Sequence, residues 1–144
     1  MTSFTIHTAT DIAPARYFLR RRLSGDNWTP NARARGVAAL TILAELILSS
    51  GTYGTLSVAT IKNGDADVLK LSCTVHIRPG DQSTADYAQH QLRQLADEMN
   101  FTNVDEQATV GVYIWGGEWA WGSSNSEESD QDYVDKSDDS DDEA

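Results

Sequence analysis

Residues Val37 to Leu48 read VAALTILAELIL, twelve positions interrupted only by Thr41 and Glu45. Thr29-Pro30 ahead of them is an N-cap with proline at the first helical position. Gly51 beyond them fits a C-cap. The pattern predicts one helix from about Asn31 to Ser50. A helix that is apolar on nearly every side must be covered by other elements. A bilayer would need roughly 20 such residues, so this stretch is too short to span one. The chain is therefore expected to wrap a layered fold around this helix.

The elements available for that wrapping follow from periodicity. Phe4 to Thr8 alternates apolar and polar as a short half-buried strand does. Asp11 stands ahead of Pro14 as a helix entry, and PARYFLRRRL follows as a helix with Phe18, Leu19 and Leu23 facing the core. Ser24-Gly25-Asp26-Asn27 ends it. After the long helix, Gly54 to Ile61 and Val68 to Ile77 read as strands joined at Asn63-Gly64-Asp65, a strong hairpin signal. Their alternating faces both carry residues that could be covered. Ala85, Ala88, Leu92, Leu95, Ala96 and Met99 recur at helical spacing and predict a helix from about Ser83 to Met99. Thr109 to Trp115 is a last strand, with Val110, Val112 and Ile114 on one face. Helices grouped with strands in this order predict an α+β, two-layer α/β sandwich: a mostly antiparallel sheet with helices on one face.

Charge divides the chain. Ser123 to Ala144 holds ten acids and one base, a net of −9, whereas the remaining residues hold twelve acids and ten bases, a net of −2. Low apolar content makes that tail an expected disordered segment, so the expected domain runs from 1 to 122 and the tail from 123 to 144. Cys73 is the sole cysteine, which excludes an intramolecular disulfide. It lies mid-strand with no adjacent base, an inert thiol. With no apolar leader at the N-terminus, a cytoplasmic location is expected.

Thr41, Glu45 and Ser49 are four apart and share one face of the long helix. A lone carboxylate buried there would cost several kcal/mol, so Glu45 either meets an arginine, marks the solvent edge of the helix, or lines a cleft. The segments ARYFLRRRL, LTILAELILSSG and QLRQLADEMNF, in this topology, resemble the GHKL (histidine-kinase-like) ATPase superfamily over residues 4 to 115. Within it they are similar to anti-sigma-factor serine kinase-like domains of bacteria. The resemblance implies a GHKL-like fold, with Glu45 where that family has its activating carboxylate and Ser49 where it has a magnesium-binding asparagine. A serine hydroxyl is a shorter and poorer ligand for a hard cation. Where the family has its adenine-recognising aspartate this chain has His76 or Ile77, with Asp81 a few residues late. Its glycine-rich turn, whose backbone N–H groups approach phosphates, is replaced by TADYAQHQL.

The expectation is a pseudo-ATPase with no cofactor, no catalytic residue and no metal, whose vestigial cleft is Thr41, Glu45 and Ser49. It would act as a regulatory domain through protein-protein contacts. The partner class implied by the resemblance is a transcription regulator or a sigma/anti-sigma component, with homodimer formation open and neither nucleic acid nor membrane bound directly. The rival expectations are an ATP-binding serine kinase or ATPase with Glu45 as base, and a structural or assembly protein or acidic chaperone.

Two surface features point to partner binding. Arg16, Arg20, Arg21 and Arg22, with Arg33 and Arg35, form a basic cluster on the first two helices. It suits a solvated face or a dock for an acidic partner or the tail. Trp115, Trp119 and Trp121 crowd the exit of the last strand, where aromatics plug a core or anchor an interface. Gly116-Gly117 lets the chain turn there, so Trp119 and Trp121 could fill the vacated cleft. His7, His76 and His90 are scattered and lack metal-ligand spacing.

Overall fold

The structure is a computed structural model, and it describes residues 1–50, 53–78, 80 and 82–117. Strand β1 (Thr2–Ile6) leads through a 3-10 turn, Ala9–Asp11, into helix α1 (Ile12–Arg22). Helix α2 (Pro30–Ser49) follows, then strands β2 (Gly54–Asn63) and β3 (Ala66–His76). Helix α3 (Gln82–Leu95) and strands β4 (Glu98–Val104) and β5 (Gln107–Trp115) complete the domain. The sheet order is β1-β2-β3-β5-β4, and every neighbouring pair is antiparallel.

Side-chain alternation selects one face of this sheet for the core. Leu56 pairs with Cys73 and Val58 with Leu71; Cys73 and Leu71 pair in turn with Val110 and Val112. All six are buried in the core cluster. The opposite face carries Ser57, Ala59, Ser72, Thr74 and Thr109, small or hydroxylated side chains that tolerate water. Among the described residues only one face is covered by helices, giving the two-layer sandwich, and both-sided cover of β2 is not found there.

Helix α2 lies centrally, as its apolarity required. It buries Ala39, Leu40, Leu43, Ala44, Leu46 and Ile47, with α1 along one flank and α3 along the other. Thr29 caps it by accepting the Ala32 N–H at 3.0 Å. At its other end the Arg78 guanidinium donates to the Ser50 carbonyl at 2.9 Å, a cation placed on the negative pole of the helix.

The main departure from the sequence reading is β4. The predicted helix to Met99 stops at Leu95, because tertiary partners capture the next residues. Arg35 donates to the Leu95 carbonyl at 2.8 Å, and the Asp97 N–H bonds the Tyr113 carbonyl at 3.0 Å. From there the chain pairs with β5, placing Met99 opposite Val112 and Phe101 opposite Val110. Met99 thus reaches the core at strand spacing, one that happens to coincide with a helical repeat. The β4–β5 hairpin turns at Asp105 and Glu106, whose φ values are 54° and 66°. Both residues are left-handed in this two-residue turn without glycine, which is why no turn signal was visible. The β2–β3 hairpin turns at Gly64 (φ 67°) and Asp65, as its sequence announces.

Candidate functional site

The six arginines do not form one face. Arg35 turns towards α3, where its side chain is 4% exposed and meets that of Asp97, 3% exposed, at 3.2 Å. Its Nε donates to Asn31 Oδ1 at 2.8 Å, while Asp97 Oδ2 also accepts the Trp115 backbone N–H at 2.8 Å. This is a clasp joining α2, the end of α3 and β5, and it removes Arg35 from the expected surface cluster. Desolvating a charged pair is tolerable because several hydrogen bonds share the two groups.

Arg21 and Arg22 take a second direction. Arg21 donates to the Tyr17 hydroxyl at 3.1 Å and lies 5.7 Å from the centre of its ring, a cation–π arrangement on the outside of α1. Arg22 crosses to β2 and donates to Thr60 Oγ1 at 3.2 Å. Tyr17, Phe18, Arg21 and Arg22 line a shallow depression of about 380 Å³. Arg16 is half-buried on the same helix.

Arg20 and Arg33 take the third direction, and they make the most site-like surface. They stand on either side of a groove of about 640 Å³ between α1 and α2, floored by Leu23, Ala34, Val37 and Ala38 with Ser24 at one end. Arg33 is held in place by its own helix entry and by a hydrogen bond of 3.4 Å to the Leu23 carbonyl. An apolar trough with a cation on each rim suits a segment that carries apolar side chains flanked by carboxylates.

The end of β5 is fastened to the loop that joins α1 to α2, the loop whose Leu23 and Ser24 line the groove. The Thr29 N–H donates to the Gly116 carbonyl at 2.9 Å, and the Gly116 N–H donates to the Asp67 carbonyl at 2.7 Å. A side chain at Gly116 would meet the Asn27 carbonyl oxygen at 2.7 Å and the buried Trp28 ring at 2.9 Å, so only glycine permits this approach. Residues 116 and 117 thus lie next to the α1–α2 connection.

The stripe on α2 faces solvent. Glu45 and Ser49 are exposed and Thr41 is half-buried. Thr41 Oγ1 donates to the Val37 carbonyl at 2.9 Å, and Ser49 Oγ to the Leu46 carbonyl at 2.8 Å. Both hydroxyls are engaged with their own helix, and Glu45 bears no burial cost.

Trp115 is half-buried on the outer sheet face, where it borders a hollow of about 260 Å³ with Ile61, Val68 and Tyr113. Trp119 and Trp121 lie outside the described residues. Cys73 is buried, and burial pushes its thiol up to about 12, far from a reactive thiolate. Among the described residues no group of three or more His, Cys, Asp or Glu side chains is arranged to hold a metal ion, and no helix is long and apolar enough to cross a membrane.

The groove could be anticipated in part, since Arg20 and Arg33 were both picked from sequence. The clasp was missed because nothing in the local pattern pairs residue 35 with residue 97.

No protein-family model matches the chain. No curated protein matches it in sequence. Among solved structures it is similar to a chain in the SiaB-SiaC complex from Pseudomonas aeruginosa, with a TM-score of 0.52 and 16% identity over 80% of this chain and 89% of that one. At that identity the likeness is one of fold.

Proposed function

We propose that this domain is a non-catalytic regulatory module that works by binding another protein through the α1–α2 groove. The observation carrying the reading is the groove itself: an apolar floor of Leu23, Ala34, Val37 and Ala38 between Arg20 and Arg33. Such a surface matches an acidic segment with apolar anchors, because the trough gains by excluding water while the rim arginines select for carboxylates. Support comes also from the structural neighbour, which was solved in a complex of two proteins. The resemblance to GHKL domains of the anti-sigma-factor serine kinase type supplies the finer version: a partner that is a transcription regulator or sigma/anti-sigma component, recognised by a domain that no longer uses nucleotide. Glu45 on the solvent side of α2 is placed poorly for a base in an enclosed site.

The test is a photo-crosslinking side chain at Ala34 in the full chain, expressed in its native host. The expected outcome is one discrete adduct with an acidic protein, lost in the Arg20→Glu/Arg33→Glu variant. An adduct insensitive to that variant would remove the groove from the reading. Calorimetry with ATP and magnesium is its companion: no heat is expected, and binding in the micromolar range would restore the serine kinase or ATPase alternative with Glu45 as base.

A further inference from the structure

We propose that the groove's resident occupant is the chain's own segment Asp130–Asp135, so that the acidic tail is an internal competitor for the docking site. This rests on the groove being a docking surface, as argued above, and adds its regulation. The tail is unusual in one respect. Between residues 123 and 144, Tyr133 and Val134 are adjacent apolar side chains in an otherwise polar run, and Asp130, Asp132 and Asp135 flank them. A segment serving only to keep the protein in solution has no use for an aromatic beside a branched aliphatic. The same six residues are complementary to the groove. Tyr133 and Val134 suit its floor of Leu23, Ala34, Val37 and Ala38, and the flanking carboxylates suit Arg20 and Arg33 on the rims.

Position favours the match as strongly as chemistry does. Near the end of the described residues, hydrogen bonds tie Gly116 to Thr29 and Asp67, at the entry to α2. That entry precedes Arg33 and Ala34, which line the groove, and Ser24 at the far side of the same connection lines it too. From Gly117 to Tyr133 there are sixteen residues. A random-coil chain of sixteen residues has a root-mean-square span of roughly 20 Å, and a fully extended one reaches about 50 Å. Residues 33 to 38 of an α-helix cover only about 8 Å. The tether is therefore long enough to reach any point of the groove, yet short enough to hold the segment at roughly millimolar effective concentration. An intramolecular contact at that concentration needs little intrinsic affinity to be populated, and a stronger acidic partner still displaces it.

The experiment compares amide NMR spectra of the full chain with those of its Tyr133→Ser/Val134→Ser variant at low salt. The expected result is a concerted shift at Leu23, Ser24, Arg33, Ala34, Val37 and Ala38, with β4 and β5 unaffected. A synthetic peptide of residues 127–136, added to the variant, should return those shifts towards the wild-type positions with a dissociation constant in the range of tens to hundreds of micromolar. Arg20→Glu in the same background should weaken that peptide at least tenfold. Raising salt to about 0.5 M, where the Debye length is only about 4 Å, should weaken it further. Wild-type and variant spectra that coincide in the groove would overturn the proposal. So would groove shifts that grow with protein concentration, which would place the segment on a second copy. Either result leaves the groove's own partner binding to be judged by the crosslinking at Ala34, so the two readings fail separately.

Discussion

Arg33 and Arg35 are two residues apart on α2 and have opposite fates. The first is partly exposed on the rim of the α1–α2 groove; the second is enclosed against Asp97. A helical step of two residues turns the side chain by about 200°, so one arginine faces α1 and the other α3. The α1 side is left open with cations at its edges, where water and salt can compete. The α3 side is closed: Arg35 donates to Asn31, Leu95 and Asp97, and Asp97 Oδ2 accepts from both Arg35 and the Trp115 N–H. The proposed docking side and the closed, stabilising side are thus set apart across the width of a single helix, and substitutions on the two should behave differently.

The largest effect is expected on the closed side. Asp97→Ala removes the carboxylate that faces the buried Arg35 charge and the acceptor of the Trp115 N–H. A loss of about 3–5 kcal/mol is expected in urea denaturation, since removing one member of a buried pair leaves the other's charge uncompensated. Replacing both members by apolar residues, Arg35→Met with Asp97→Leu, should recover part of this but not all. The Trp115 N–H stays unsatisfied, a cost of about 1–3 kcal/mol. A double variant as stable as the wild type would show that Asp97 matters only to Arg35.

Gly116→Ala ranks next. Its added carbon would stand 2.7 Å from the Asn27 carbonyl oxygen and 3.1 Å from that of Asp67, neither of which is a flexible side-chain end. Destabilisation of about 1–3 kcal/mol is expected from such crowding, together with amide shifts at Thr29.

On the open side the effects should invert. Arg33→Ala is expected to change stability by no more than about 1 kcal/mol, because a partly exposed cation at a groove rim contributes little to the fold. It should nonetheless weaken binding of an acidic peptide, and the weakening should disappear at high salt. A large stability loss from Arg33→Ala would erase the distinction between the two sides.

The smallest effect concerns neither side and serves as a control. Asp11 accepts the backbone N–H groups of His7 and Thr8 at 2.7 and 3.0 Å, which hold its carboxyl below the ordinary value of 3.8. A carboxyl lowered in the folded state adds stability that is complete above its unfolded value and fades as pH falls through its folded value. The gap between wild type and Asp11→Asn should be steady above about pH 5 and close below about pH 4, where the carboxyl takes up its proton.

How legible these regions were depended on how local their causes are. The α2 boundaries were readable because Thr29-Pro30 and the apolar run act within a few residues. The β2–β3 hairpin was readable because Gly64 is the residue its turn requires. By contrast, β4 was hidden. Leu95, Ala96 and Met99 satisfy a helical spacing, and the contacts that end α3 come from Arg35 and Tyr113, far off in sequence. The Asp105-Glu106 turn was hidden for a related reason: pairing of β4 with β5 imposes left-handed backbone on residues that do not request it.

The sequence alone determined that α2 must be interior, that the sheet must be largely antiparallel with one covered face, and that the charge is concentrated in the last 22 residues. Those properties follow from composition and periodicity, which any arrangement of the chain must respect. Only the tertiary structure decided which arginines share a surface. Five of six that are close in sequence are divided among the Asp97 clasp, the Tyr17 and Thr60 contacts and the groove, and Arg16 belongs to none of the three. The direction of a side chain depends on the helix rotation that burial of Leu40, Leu43 and Ile47 fixes against the sheet, and on what stands opposite it.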